Sequence, residues 1–131
     1  MIVIDTSAVL AALVGRPLNA SLSSRLAAAG ELHAPHLIDV EFVHALRRLV
    51  HAGELTGDRA NDARADFIEL AIVRYPHQPF IDRMWELRNN FSAYDAVFVA
   101  LSEGLGVPLV TCDAHLANSP GHETKIELYA K

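Results

Sequence analysis

Four acidic residues, Asp5, Glu41, Asp95 and Asp113, stand where the surrounding sequence is apolar. Asp5 follows Ile2-Val3-Ile4, and Asp113 follows Leu109-Val110-Thr111-Cys112. Glu41 sits among Val40, Phe42 and Val43, and Asp95 lies within Ala93-Tyr94-Asp95-Ala96-Val97-Phe98-Val99-Ala100. A carboxylate in such surroundings costs desolvation energy unless a cation or hydrogen-bond donors compensate. Several acids from different elements meeting in one cleft repel each other and need a cation. An all-oxygen donor set selects Mg2+ or Mn2+ over softer metals. Such a site orients a phosphodiester and lowers the pKa of a water. Thr6, Ser7 and Thr111 add hydroxyls that could hold metal-bound water.

Each acid also has an ordinary structural role open to it. Asp5 and Asp113 precede helix-like stretches and fit helix N-caps. Ser92-x-x-Asp95 matches a capping box. Glu41 is spaced to pair with Arg48, two turns along the same helix face.

The elements that must position these residues alternate in type. Residues 2–5 read as a short buried strand, followed by a helix over Ser7 to Val14 that Gly15-Arg16-Pro17 interrupts. Leu18 to Ala29 reads as a helix ended by Gly30, and Glu31 to Ala34 as a brief strand stopped by Pro35. From Leu37 to Ala52 the apolar residues follow helical spacing. Thr56 fits an N-cap for a helix from Gly57 to about Ala71, and Ile72 to Tyr75 reads as a strand. A helix around Phe80 to Asn89 follows. Ser92 opens another over Ala93 to Leu105, closed by Gly106. Val107 to Cys112 is the clearest late strand, and Ile126 to Tyr129 reads as an edge strand. This alternation predicts an α/β fold with a mainly parallel sheet. Ligands in such sheets bind outside the carboxyl ends of strands, where Asp5 and Asp113 both lie.

The 131 residues fit one compact domain, and 51% hydrophobic content suffices for a sizeable core. No apolar run reaches the roughly 18–20 residues of a membrane span, and no basic region precedes the N-terminal apolar stretch. The single cysteine, Cys112, cannot form an internal disulfide, which favours a reducing cytoplasm. A formal net charge of -5 supplies no general attraction for nucleic acid. Any such attraction must come from a metal, a second subunit or local arginines: Arg16, Arg47 and Arg48 are the candidates for phosphate contacts, and His44, one turn after Glu41, is another. Cys112, His115 and His122 match no standard zinc spacing. Leu10, Leu13 and Leu22 fit either an interface or the core.

The opening Ile2-Val3-Ile4-Asp5-Thr6-Ser7, then Val40-Glu41-Phe42-Val43-His44-Ala45-Leu46, Ala93-Tyr94-Asp95-Ala96 and Leu109-Val110-Thr111-Cys112-Asp113 occur in an order that resembles the PIN-domain ribonucleases. The likeness is closest to the VapC toxins of bacterial type II toxin–antitoxin systems. It covers nearly the whole chain, taken as a single PIN domain over 1–131, and implies a three-layer α/β/α architecture. It implies that Asp5, Glu41, Asp95 and Asp113 form a Mg2+ or Mn2+ site, with Thr111 as a supporting hydroxyl and no general-base histidine. The implied reaction is endonucleolytic RNA cleavage by a metal-activated water. A small antitoxin that inserts a basic side chain into the cleft is implied as a partner, together with a homodimer.

Two other functions compete. One is a binding module on a catalytically silent PIN-like fold. The other is a phosphoacceptor or phosphohydrolase with Asp5 as nucleophile. The second would want an acid two residues beyond Asp5, where Ser7 stands, and a lysine at a late strand end, where only Lys125 and Lys131 are available.

Overall fold

The computed structural model describes residues 1–130, so Lys131 lies outside it. Five strands form one parallel sheet: β1 (Ile2–Ile4), β2 (Leu32–Pro35), β3 (Ile72–Tyr75), β4 (Leu109–Thr111) and β5 (Ile126–Leu128). Their spatial order is β3-β2-β1-β4-β5. β1 and β4 are central and every residue in them is buried, as expected of strands covered on both faces. Their β-branched residues suit a pleated, packed surface.

Helices α1 (Thr6–Val14), α2 (Ala20–Ala28), α3 (Leu37–His51) and α4 (Gly57–Glu69) follow the first two strands. A 3-10 turn (Gln78–Phe80), α5 (Ile81–Glu86), α6 (Ala93–Leu105) and the short α7 (Ala114–Asn118) complete the chain. α1, α3 and α4 contact one another, and α6 packs with α5 and lies along β1, β2 and β4. The result is a three-layer α/β/α sandwich. Ile38, Phe42 and Leu46 turn α3 toward the core, where Phe42 stacks on Phe67 of α4 at a centroid distance of 4.2 Å. Residues Ala96 to Ser102 of α6 are all buried, so that helix is held firmly against the sheet.

Local signals explain where elements start and stop. Ser92 caps α6 by accepting from the Asp95 amide at 3.2 Å, and Gly106, at φ 66°, closes it in the left-handed conformation that glycine adopts without strain. The second helix starts at Ala20 rather than Leu18, because the Asn19 side chain caps the Leu22 amide at 3.0 Å. The helix expected around Phe80 to Asn89 is shorter: α5 covers Ile81–Glu86, preceded by the 3-10 turn Gln78–Phe80 with Pro79 in its first turn, and residues 87–90 form a turn. Leu22 is fully buried, and Leu10 and Leu13 pack partly buried against the same core. Two of the three apolar neighbours of Glu41 are not core residues: Val40 and Val43 are 69% and 59% exposed. Helical periodicity turns them outward while Phe42 turns inward.

Candidate active site

β1 and β4 lie side by side, with Val3 beside Leu109 and Ile4 beside Val110. Asp5 and Asp113 therefore leave the sheet at adjacent carboxyl ends, where parallel α/β sheets open a crevice. The cleft there has a volume of about 230 Å³ and is lined by Asp5, Glu41, Asp95 and Asp113 together with Thr6, Ser7, His44, Ala45, Arg48 and Phe98. All four acids singled out in the sequence meet in it.

Asp5 is 5% exposed and caps α1. Its Oδ1 accepts from the Ala8 amide at 2.9 Å and from the Ser7 hydroxyl at 2.7 Å, and its Oδ2 accepts from the Thr111 hydroxyl. Burial pushes its carboxyl up to about 6, against the hydrogen bonds from Thr111, Ala8 and Ser7, and the charge of Asp113 pushes the same way as burial. Thr111 Oγ1 also accepts from the Asp113 amide at 2.9 Å, and Ser7 Oγ accepts from the Cys112 amide at 2.9 Å. The hydroxyls of Thr111 and Ser7 are thus spent on the Asp5 carboxylate and on the β4 exit.

Glu41 is held from across the cleft. The Thr6 hydroxyl donates to its Oε1 at 2.6 Å. Burial raises its carboxyl above the usual range, the Thr6 bond opposes this, and Asp95 adds to the rise. The Glu41–Arg48 ion pair that spacing permits is not formed among the described residues. Both instead line the cleft from one face of α3, since Glu41, His44, Ala45 and Arg48 follow the helical spacing of i, i+3, i+4 and i+7.

Asp95 makes only the amide half of the expected capping box, and its carboxylate accepts no hydrogen bond among the described residues. Burial raises it first, then the charge of Asp113, while His115 acts in the opposite direction. Asp113 is a helix cap: Oδ1 accepts from the His115 amide at 2.9 Å and the Leu116 amide at 3.3 Å. Its Oδ2 accepts no hydrogen bond among the described residues, and the residue still lines the cleft.

The arginines divide. Arg25, Arg74 and Arg83 are paired with Glu127, Asp39 and Glu103 at 2.8, 2.8 and 2.7 Å. Arg48 lines the cleft, whereas Arg47 is exposed and does not. Arg16 lines a separate apolar groove with Leu10, Val14 and Leu49. Two features carry no motif in the sequence: Phe98, which forms part of the cleft wall, and the influence of His115 on Asp95. The signal for each was its spacing: Phe98 stands one turn after Asp95, and His115 two residues after Asp113.

Among the described residues no three His, Cys, Asp or Glu side chains stand close enough to make a ready-made metal cluster. The donor chemistry nonetheless suits a hard cation. Among the described residues, the Asp95 carboxylate, Glu41 Oε2 and Asp113 Oδ2 have no hydrogen-bond partners, the acids repel one another, and no ion pair neutralises any of them.

Fold and site together define the PIN-domain class, and the chain belongs to that family: the PIN domain model matches residues 2–121. Within the family it stands with the VapC ribonucleases. It is 40% identical to Ribonuclease VapC12 of Mycobacterium tuberculosis, over 99% of this chain and 100% of that protein. It is 44% identical to Ribonuclease VapC9 of the same organism, over 91% of each chain. The fold is shared with the VapBC2 crystal structure from Rickettsia felis, bound to a promoter DNA fragment, at a TM-score of 0.71 and 13% identity, covering 98% of this chain and 99% of that one.

Proposed function

We propose that the protein is a Mg2+- or Mn2+-dependent endoribonuclease and the toxin of a type II toxin–antitoxin pair. One observation carries the reading: four acids converge in one cleft, and burial and mutual repulsion raise three of them. That arrangement costs stability unless a cation is bound. The names of the 40–44% identical relatives supply the reaction class.

Asp5, Glu41, Asp95 and Asp113 would hold the ion together, all four lining the same cleft. A bound Mg2+ or Mn2+ supplies charge neutralisation and a more acidic water. The chain's own residues do the rest. Thr6 fixes Glu41, Ser7 and Thr111 fix Asp5, and Arg48 with His44 meets the phosphate backbone at the rim. Asp5 is a poor phosphoacceptor, because it is buried and both its oxygens are engaged.

The partners belong to the same proposal: an RNA substrate, a small antitoxin that places a basic side chain in the cleft, and a second copy of this chain. A cytoplasmic location suits all three, and among the described residues no helix is long and apolar enough to cross a membrane. The test is cleavage-site mapping on total RNA. Wild type is expected to cut with Mg2+ or Mn2+ and to stop with EDTA, and Asp5→Asn and Asp95→Asn are expected to remain folded and inactive. Full cutting by both variants would sink the assigned site. Binding of RNA or a partner without cutting in any metal would favour the silent binding module.

A further inference from the structure

The cleft, at about 230 Å³, is smaller than the roughly 300–1,000 Å³ of pockets that enclose a whole ligand. A volume of that size suits a phosphate group rather than a whole nucleotide. What meets the flanking bases is set by the rim. Tyr94 lies on α6, one residue before Asp95 and one turn before Phe98. Residues four apart share a helix face, so Tyr94 stands on α6 one turn before Phe98, beside Asp95, both of which line the cleft.

Tyr94 is 63% exposed. The other strongly exposed aromatic among the described residues is Trp85, and the Arg88 guanidinium covers its face at 4.3 Å from the ring centroid. Tyr94 has no ring, cation or hydrogen-bond partner among the described residues. It is carried on the first turn of a helix whose following residues are buried against the sheet, so its backbone is fixed in place. Among the described residues Arg48 is the one arginine lining the cleft, and the chain as a whole carries a net charge of -5. Phosphate contacts alone therefore give weak binding, and an aromatic face adds affinity that does not depend on charge.

We infer that Tyr94 is a stacking platform for an unpaired RNA base flanking the phosphate held in the cleft. This rests on the ribonuclease reading and deepens it, because a base within a duplex has no free face to offer. Tyr94 thereby selects single-stranded segments or loops.

The test measures binding in the Asp5→Asn background, where no cutting occurs, by fluorescence anisotropy of a labelled single-stranded RNA decamer and the matching duplex. Tyr94→Ala is expected to weaken single-strand binding about tenfold, while Tyr94→Phe stays within about twofold of the parent. Duplex binding, already weaker, is expected not to change with either substitution. Equal single-strand affinity in Tyr94→Ala and the parent overturns the proposal. So does an equal loss on single strand and duplex, or no RNA binding by the parent at all. Cleavage by the protein with intact Asp5 is scored separately. If it is absent while the Tyr94 effect on binding persists, the ribonuclease reading fails and the stacking role stands.

Discussion

The Thr6 hydroxyl donates to Glu41 Oε1 at 2.6 Å, tying the first residue of α1 to the second turn of α3 across 35 positions of sequence. It is the only hydrogen bond that any described residue makes to the Glu41 carboxylate. Thr6→Val removes the donor and keeps the shape. It is expected to lower RNA cleavage roughly 10–100-fold, the usual cost of losing a partner that orients a ligand, with little change in melting temperature. Thr6→Ser should restore most of the activity. Unchanged cleavage by Thr6→Val would show that Glu41 needs no such support.

Asp5 makes stability depend on pH in a direction opposite to most carboxylates. Its carboxyl rises from 3.8 to about 6 on folding, so the folded state binds the extra proton between these values. Its contribution is most favourable below pH ~4 and is lost as pH rises through about 6. At ~1.4 kcal/mol per pH unit the loss is about 3 kcal/mol at most. In the metal-free protein, Asp5→Asn is therefore expected to raise the melting temperature at pH 7.5 and to have little effect at pH 4. Denaturant titrations at the two pH values check this, and a stabilisation of equal size at both would contradict it.

The two roles of Asp113 separate by substitution. Asp113→Asn keeps an oxygen for the His115 and Leu116 amides but removes the charge, so stability should stay within about 0.5 kcal/mol while cleavage falls roughly 10–100-fold. Asp113→Ala loses the cap as well and is expected to cost about 1 kcal/mol more. Thermal melts and cleavage rates on the same preparations distinguish the two variants. Full activity in Asp113→Asn would reduce the residue to a cap.

Arg48 and Arg47 are neighbours in sequence, yet only Arg48 lines the cleft. Arg48→Ala is expected to weaken single-stranded RNA binding and to flatten its dependence on log salt by about 0.7, the signature of one lost phosphate contact. Arg47→Ala and Arg16→Ala should leave both quantities unchanged. Anisotropy titrations across a salt series decide the matter, and equal effects at all three positions would point to diffuse attraction instead.

Much of this site could be read along the chain, because some of its signals are local. Ser92 and Gly106 set the ends of α6 through hydrogen bonds and a backbone angle within a few residues, and the predicted span matches the observed one. The apolar runs before Asp5 and Asp113 are short and β-branched, so local sequence alone puts both acids at strand ends. Other features depend on which elements meet. The adjacency of β1 and β4 brings Asp5 and Asp113 together, and the Thr6–Glu41 bond joins residues from separate helices. The phase of α3 exposes Val40 and Val43 and turns Arg48, not Arg47, to the cleft. Sequence by itself determined the identity and order of the acids and the elements that carry them. Tertiary structure alone decided their burial, their mutual repulsion and the hydroxyls that orient them. Desolvation and charge interaction act through space between segments far apart in the chain, and local propensity carries no record of such distances.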